Sequence, residues 1–485
     1  MRVAIVGAGF SGIAMATALR REGIEDFTVF ERADDLGGVW QHNTYPGAAC
    51  DVPSYLYSFS YDQRRDWAQP CSSQGEILEY LHDTATKHGV IDRVRTGTEV
   101  VSADFDARSA RWTLATQTGE RFEADALVLA CGQLSRPRWP SIPGMDEFEG
   151  RAFHSAEWDH GYDLSGKRVA VIGTGASAIQ FVPQVAERAA RLDVYQRSAP
   201  YLLPRQNPEY RPSFVRLIQR VPGLQAARRY GIWAFMEMFV AGLTRVPPLG
   251  WLLRTWSTAF MRMQLRDPKV RAKAWPDYPF GCTRILFSSD YLPALQGPDV
   301  ELVADEIARV TPRGVATVDG REREVDCIVY GTGFRSSDFV APMRVSGAGG
   351  RDLEAAWSGG AEAHLGITVS GFPNMFVLYG PNTNLGVGSI IVMIEAQVRY
   401  AIDALRTARR SGAALDVRPE VQTASTGRVQ ERLRDSVWSS CRNWYRQEGS
   451  GRVVNNWPGF MLEYVRATRA IRPEEYREVR PAVVP

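Results

Sequence analysis

One segment of this chain occurs twice, and the repeat restricts the fold more than any other feature. Arg2-Val-Ala-Ile-Val-Gly-Ala-Gly-Phe-Ser-Gly-Ile-Ala returns 166 positions later as Arg168-Val-Ala-Val-Ile-Gly-Thr-Gly-Ala-Ser-Ala-Ile-Gln. Each copy is an apolar, strand-like run that ends in glycines and continues into helix formers, reading G-x-G-x-x-G from Gly7 and G-x-G-x-x-A from Gly173. Strand, tight turn and helix in that order predict a βαβ dinucleotide-binding unit at each place. Gly7 and Gly173 permit the turn, and Gly9 and Gly175 let the backbone approach a pyrophosphate. Gly12 and Ala178 let the helix pack closely on the strand, and the helix N-terminus faces the phosphate charge.

The end of the second strand in each unit selects the nucleotide. Phe27-Thr-Val-Phe-Glu31 places a carboxylate 19 residues after Gly12, suited to accept hydrogen bonds from ribose hydroxyls. Leu192-Asp-Val-Tyr-Gln-Arg197 places a guanidinium 19 residues after Ala178, suited to a 2′-phosphate. One site is thus expected to take an unphosphorylated adenosine and the other NADP(H). The plain alternative is a pair of solvated strand-end charges. Thr174 and Ser177 are loop hydroxyls that either touch phosphate or cap the helix.

Around these anchors the chain divides. Ala124-Asp-Ala-Leu-Val-Leu-Ala-Cys-Gly132 and Glu324-Val-Asp-Cys-Ile-Val-Tyr-Gly-Thr-Gly333 each read as the buried closing strand of a nucleotide domain. The predicted fold is α/β, with two Rossmann-like domains. Residues 1–147 and 325–485 form one domain split across both ends of the chain. A linker follows at 148–160, then a second domain at 161–324 with a helical, aromatic-rich insert at about 205–275. The insert, with Tyr230-Gly-Ile-Trp-Ala-Phe-Met-Glu-Met-Phe239, has three readings: helix packing, a wall of a substrate pocket, or an interfacial surface.

Composition excludes several classes. The net charge of +2 is too small for a field that gathers nucleic acid over the whole surface. The six cysteines contain no C-x-x-C pair, which argues against zinc fingers, a redox dithiol and a disulfide framework, so a reducing cytoplasm is the expected home. No metal site is expected. Met1-Arg2 leads straight into a strand and not into a secretory h-region. Leu365 to Ile394 is uncharged and long, but its prolines, asparagines and glycines read as strand, loop and helix start rather than a membrane span.

Between the two glycine motifs, Phe148-Glu-Gly-Arg-Ala-Phe-His-Ser-Ala-Glu-Trp-Asp159 matches F-x-G-x-x-x-H-x-x-x-W-[PD]. This resembles the fingerprint of type I Baeyer–Villiger monooxygenases. Gly37-Gly-Val-Trp40, Tyr45-Pro-Gly-Ala-Ala-Cys-Asp51, Gly281-Cys-Thr-Arg284, Gly331-Thr-Gly-Phe334 and Gly380-Pro-Asn-Thr-Asn384 extend the likeness over nearly the whole chain. The C-terminal Val437-Trp, Trp444-Tyr445 and Trp457-Pro-Gly459 look like the short bacterial members.

The resemblance implies FAD in the first site, NADPH in the second, and insertion of one oxygen atom from O2 beside a ketone carbonyl through a C4a-peroxyflavin, giving an ester or lactone. The partners it implies are a small-molecule ketone and O2. A related flavin monooxygenase acting on nitrogen or sulfur is the alternative. Arg284 matches the family's active-site arginine and Asp51 the carboxylate beside it. His154 has a hydrogen-bonding and conformational role, with Trp158 packing and Asp159 anchoring the turn. Ser11, Arg32, Gly38, Val39, Trp40, Asp51, Ala176, Thr332 and Gly333 join the cofactor-binding residues. Thr283 stands where many members carry Lys, which implies a weaker NADPH preference carried by Arg197.

Overall fold

In the computed structural model, which describes residues 1–447 and 451–482, the two copies of the repeat lie at the centres of two parallel sheets. Val3–Val6 pairs with Phe27–Phe30 on one side and Ala126–Leu129 on the other. Val94–Arg95 and Met375–Val377 complete that sheet at its edges. Arg168–Ile172 pairs in the same way with Arg191–Tyr195 and Cys327–Tyr330, and Val300–Val303 and Arg151–His154 form the edges. All these pairs are parallel, and the central strands are buried on both faces, by helices on one and by an antiparallel sheet on the other, as their unbroken apolar runs require.

In both units an antiparallel excursion precedes the closing strand. Val100–Asp106, Arg111–Thr116 and Arg121–Ala124 form one, and Ile307–Thr311, Gly314–Thr317 and Glu322–Glu324 the other. The first domain is discontinuous because Met375–Val377 joins its sheet and the Ile390–Ser411 helix packs on the Phe10–Arg21 helix. Leu365 to Ile394 forms the Met375–Val377 strand, loops and the start of that helix. No described helix is long and apolar enough to cross a membrane.

Three sequence expectations need correction. The segment at 148–160 is not a free linker, since its Arg151–His154 stretch is a strand with Tyr330 opposite His154. The boundary expected at 324/325 falls after Tyr330, because Cys327–Tyr330 closes the second sheet and not the first. The cysteines are not all unpaired. Cys282 and Cys441, 159 residues apart, form a disulfide with Cα atoms 6.1 Å apart, while Cys50, Cys71, Cys131 and Cys327 are free. Chain separation concealed that pair; folding lays the 438–445 loop against the 281–284 loop, where Asn443 Nδ2 also donates to the Cys282 carbonyl.

The insert is four helices, Pro212–Arg220, Leu224–Thr244, Pro247–Gln264 and Pro268–Lys273. Proline in the first turn of three of them needs no N–H partner and has the right φ for helix.

Candidate active site

The first glycine turn is closed by sterics. Gly7 sits at φ +105°, and a Cβ there would lie 2.5 Å from the Ala130 carbonyl oxygen. Gly173 sits at φ +115°, with a Cβ position 2.3 Å from the Gly331 carbonyl oxygen. The same crossing of glycine over the neighbouring strand therefore occurs in both units. A Cβ on Gly12 would reach within 1.9 Å of the Gly7 carbonyl oxygen, so the first helix tolerates only glycine where the second accepts the buried Ala178.

A cavity runs from this turn along the first domain. Gly7, Gly9, Ser11, Glu31, Arg32, Gly38, Val39, Trp40 and Asp51 all line it, together with Ala176, Ser177 and Arg284. Glu31 is buried, and both its oxygens are held: the Ala8 N–H donates to Oε2 at 2.7 Å and the Ala33 N–H to Oε1 at 3.0 Å. Each oxygen keeps a lone pair for a ribose hydroxyl. Arg32 donates to the Ser135 carbonyl. Trp40 Nε1 donates to the Tyr57 hydroxyl at 3.3 Å.

Arg284 and Asp51, 233 residues apart in sequence, meet in this wall. Arg284 Nη2 donates to Asp51 Oδ1 at 2.7 Å and Oδ2 at 2.6 Å. Its side chain is 29% exposed. The Asp51 charge raises the guanidinium still further above its high ordinary pKa, so it stays a cation. Nε and Nη1 make no hydrogen bond among the described residues and remain free to donate. Asp51 is positioned by its own loop. Gln180, on the helix after the second glycine turn, donates to the Ala49 carbonyl at 2.9 Å and accepts from the Ala49 N–H at 3.3 Å. Arg205 donates to the Cys50 carbonyl.

The second nucleotide site is more open. Gly173 and Gly175 sit in the turn, and a Cβ on Gly175 would meet nothing within 4 Å. Ala176 and Gly175 are exposed, and Ser177 caps the Ala178–Ala186 helix by position without a side-chain hydrogen bond. Thr174 Oγ1 already donates to the Ser198 carbonyl, which favours its structural reading. Arg197, just beyond Arg191–Tyr195, is exposed. Thr283 donates to the Tyr278 hydroxyl at 2.8 Å. Thr332 donates to the Arg138 carbonyl, and Gly333 takes φ +79° beside it.

His154 is fully buried among Trp139 and Phe334 and does not line the cavity. Its Nδ1 accepts from the Ala156 N–H at 3.1 Å, and burial lowers its pKa to about 4. A neutral, enclosed imidazole suits a conformational role and not proton transfer with a substrate. Trp158 packs on Phe153 and Phe181, while Asp159 accepts from Arg151 at 2.6 Å and from the Gly161 N–H at 3.0 Å.

The flavin-binding monooxygenase-like family matches residues 1–227. A Baeyer–Villiger monooxygenase of Pseudomonas aeruginosa is 42% identical over 478 residues, 98% of this chain and 91% of that protein. The chain belongs to the Baeyer–Villiger monooxygenases. Another, from Streptomyces coelicolor, is 43% identical over 99% of this chain and 93% of that protein. Among solved structures, a steroid monooxygenase bound to NADP superposes with TM-score 0.87 at 30% identity, covering 98% of this chain and 99% of that one. Cyclohexanone monooxygenase in its closed form gives TM-score 0.89 at 27% identity over 98% of both chains.

As a member of that family the chain is an FAD- and NADPH-dependent monooxygenase. Its residues fit both cofactors. A buried carboxylate with spare lone pairs and the close approach of Gly9 to Gly38 suit the FAD nucleotide. An open glycine turn with an exposed guanidinium suits NADPH. The motifs assigned no role to several residues that lie around Arg284 in the same part of the cavity. Tyr379 lines the cavity and donates to Asn384 Oδ1 at 2.7 Å, and Asn384 donates to Asn456 Oδ1 at 2.7 Å. Tyr445 is buried next to Arg284, and burial pushes its phenol pKa up. The family stretches at 380–384 and 444–445 contain two of these, Asn384 and Tyr445, but only the fold brings Asn384 into the cavity and Tyr445 beside the arginine.

Proposed function

We propose that Arg284 and Asp51 carry the Baeyer–Villiger reaction of this chain, insertion of one atom of O2 beside the carbonyl of a small-molecule ketone to give an ester or lactone. When bound, FAD reduced by NADPH supplies the activation of O2. The observation that carries this reading is the split use of Arg284: one nitrogen is fixed on Asp51, and the other two keep N–H groups to spare. A permanent, oriented cation is what an anionic oxygen in the transition state requires.

The remaining residues hold this arrangement. Asp51 fixes the guanidinium plane through one nitrogen, and Gln180 ties the loop bearing Asp51 to the NADPH-side helix. Tyr379 and Tyr445 keep their phenolic protons, because burial raises both pKa values. Residues 438–447, tied to the Arg284 loop by Asn443 and, when oxidised, by Cys282–Cys441, shield the site from water. The cytoplasm is the proposed location, where the disulfide thiols would be held reduced.

The test is aerobic turnover with NADPH on linear, cyclic, aromatic and polycyclic ketones, alongside amine and thioether probes. Ester or lactone from at least one ketone is the expected outcome. Only N-oxide or sulfoxide, with intact flavin, contradicts the reading.

A further inference from the structure

The near-neutral charge of the chain hides a separation. Residues 205–275 contain thirteen Lys and Arg against three Asp and Glu, a local net charge of +10, which leaves the rest of the chain at −8. Several of these cations serve the interior; Arg229, for example, donates to the carbonyls of Tyr55 and Ser58. Arg211, Arg216, Arg220, Arg254, Arg262 and Arg266 are different: all are exposed, and none has a carboxylate partner among the described residues. Elsewhere on the surface, arginines are commonly paired, as in Arg95–Glu120, Arg168–Asp326 and Arg406–Glu22.

The same segment holds ten of the fourteen large apolar side chains exposed among the described residues. They are arranged by helical period. On Leu224–Thr244 the outward positions Ala227, Tyr230, Gly231, Ala234, Phe235 and Met238 form one apolar stripe, about 17 Å long at 1.5 Å per residue. Glu237, the one acid of this helix, points elsewhere and accepts from Trp233 Nε1 and the Leu462 N–H. On Pro247–Gln264 the spacing puts Leu252, Trp256 and Met263 on one side of the exposed face, with Arg254 and Arg262 on the other. Trp256 meets Phe239, which meets Phe235, so the apolar surface is continuous across the two helices. Tyr230 is 63% exposed, Trp251 66% and Met263 71%.

From this we infer that the helical insert docks flat on an anionic lipid bilayer, with the aromatic stripe at the interface and the unpaired arginines on the headgroups. A contiguous exposed apolar patch marks an interaction surface. Amphipathic helices bearing Trp, Phe and Leu on one face and Arg on the flanks are of the kind that lie in a membrane interface. The charge selects among occupants. A second copy would bring two sets of these unpaired arginines together, which is repulsive, whereas an anionic bilayer neutralises them. Neither helix is apolar enough to span, so the insert lies on the surface and does not cross it.

The test is co-sedimentation of the FAD-loaded full chain with phosphatidylcholine vesicles and with equal-part phosphatidylcholine–phosphatidylglycerol vesicles. The expected result is at least about tenfold more protein on the anionic vesicles, lost as salt is raised. Tyr230→Ser with Phe235→Ser and Trp251→Ser should abolish binding to them. Arg254→Gln with Arg262→Gln should cut it several-fold. Both sets should retain flavin absorbance and NADPH oxidation, which guards against misfolding. Wild-type protein that stays in the supernatant, or binds neutral vesicles equally well, overturns the inference. So does a dimer in sedimentation velocity that the Ser variants dissolve while vesicle binding is absent, because a second copy then covers the patch.

Discussion

The two nucleotide sites start from one local code and end as different surfaces. On the FAD side the carboxylate at the strand end is buried, both its oxygens are held by backbone N–H groups, and the helix fits its strand only with glycine at position 12. On the NADPH side the guanidinium at the same offset is exposed, the middle glycine opens on space, and alanine fits in place of the third glycine. One fold thus builds a closed socket and an open one, and we propose FAD for the first and NADPH for the second. Arg284 and Asp51 lie where the two meet, in the cavity that Ala176 and Ser177 also reach.

The largest effect should come from breaking the closed side. Glu31→Ala strands two backbone N–H groups at about 1–3 kcal/mol each and removes the ribose acceptor. The purified variant should be nearly colourless and bind added FAD at least about a hundredfold more weakly, by fluorescence titration. On the open side the damage should be confined to one substrate. Arg197→Ala loses a charged hydrogen bond of about 1.5–3 kcal/mol, so the KM for NADPH should rise about 10- to 150-fold with kcat and the KM for NADH little changed. Gln180→Ala removes the ties between the NADPH-side helix and the Ala49 backbone, two residues from Asp51. It should lower the yield of ester per NADPH a few-fold and leave FAD affinity unchanged.

The smallest effect is a pH dependence of stability. His154 and His364 are both buried, and burial lowers both pKa values to about 4 from 6.5. Above pH 6.5 both are neutral whether the chain is folded or not, and their contribution is fully present. As pH falls from 6.5 toward 4 the unfolded chain takes up protons that the folded one refuses, so stability declines. The melting temperature should therefore fall across that window, and His154→Gln should make the decline shallower.

What the sequence revealed follows physical range. The glycine turns, the Glu31 and Arg197 offset and both central strands rest on contacts within a few tens of residues, and they stand where the repeat put them. Arg284 and Asp51 were legible only through the family likeness, since 233 residues separate them. The Cys282–Cys441 bond and the Tyr379, Asn384 and Asn456 chain were not, because they arise when the C-terminal segment wraps over the cavity. The strand at Arg151–His154 was missed because four residues at a sheet edge leave no period to read. The insert's helices were expected, but periodicity alone does not say which apolar face stays outside.

The central claim is that Arg284 presents a fixed cation to the oxygen-transfer step. Its direct test is Arg284→Ala, measured for NADPH consumption, hydrogen peroxide release and ester formation from a ketone that the wild type converts. Loss of one such donor weakens transition-state stabilisation by roughly 3 kcal/mol, so ester formation should fall about a hundredfold or more. NADPH oxidation should continue, with the oxygen leaving as hydrogen peroxide. Ester formation at the wild-type rate and coupling would contradict the account.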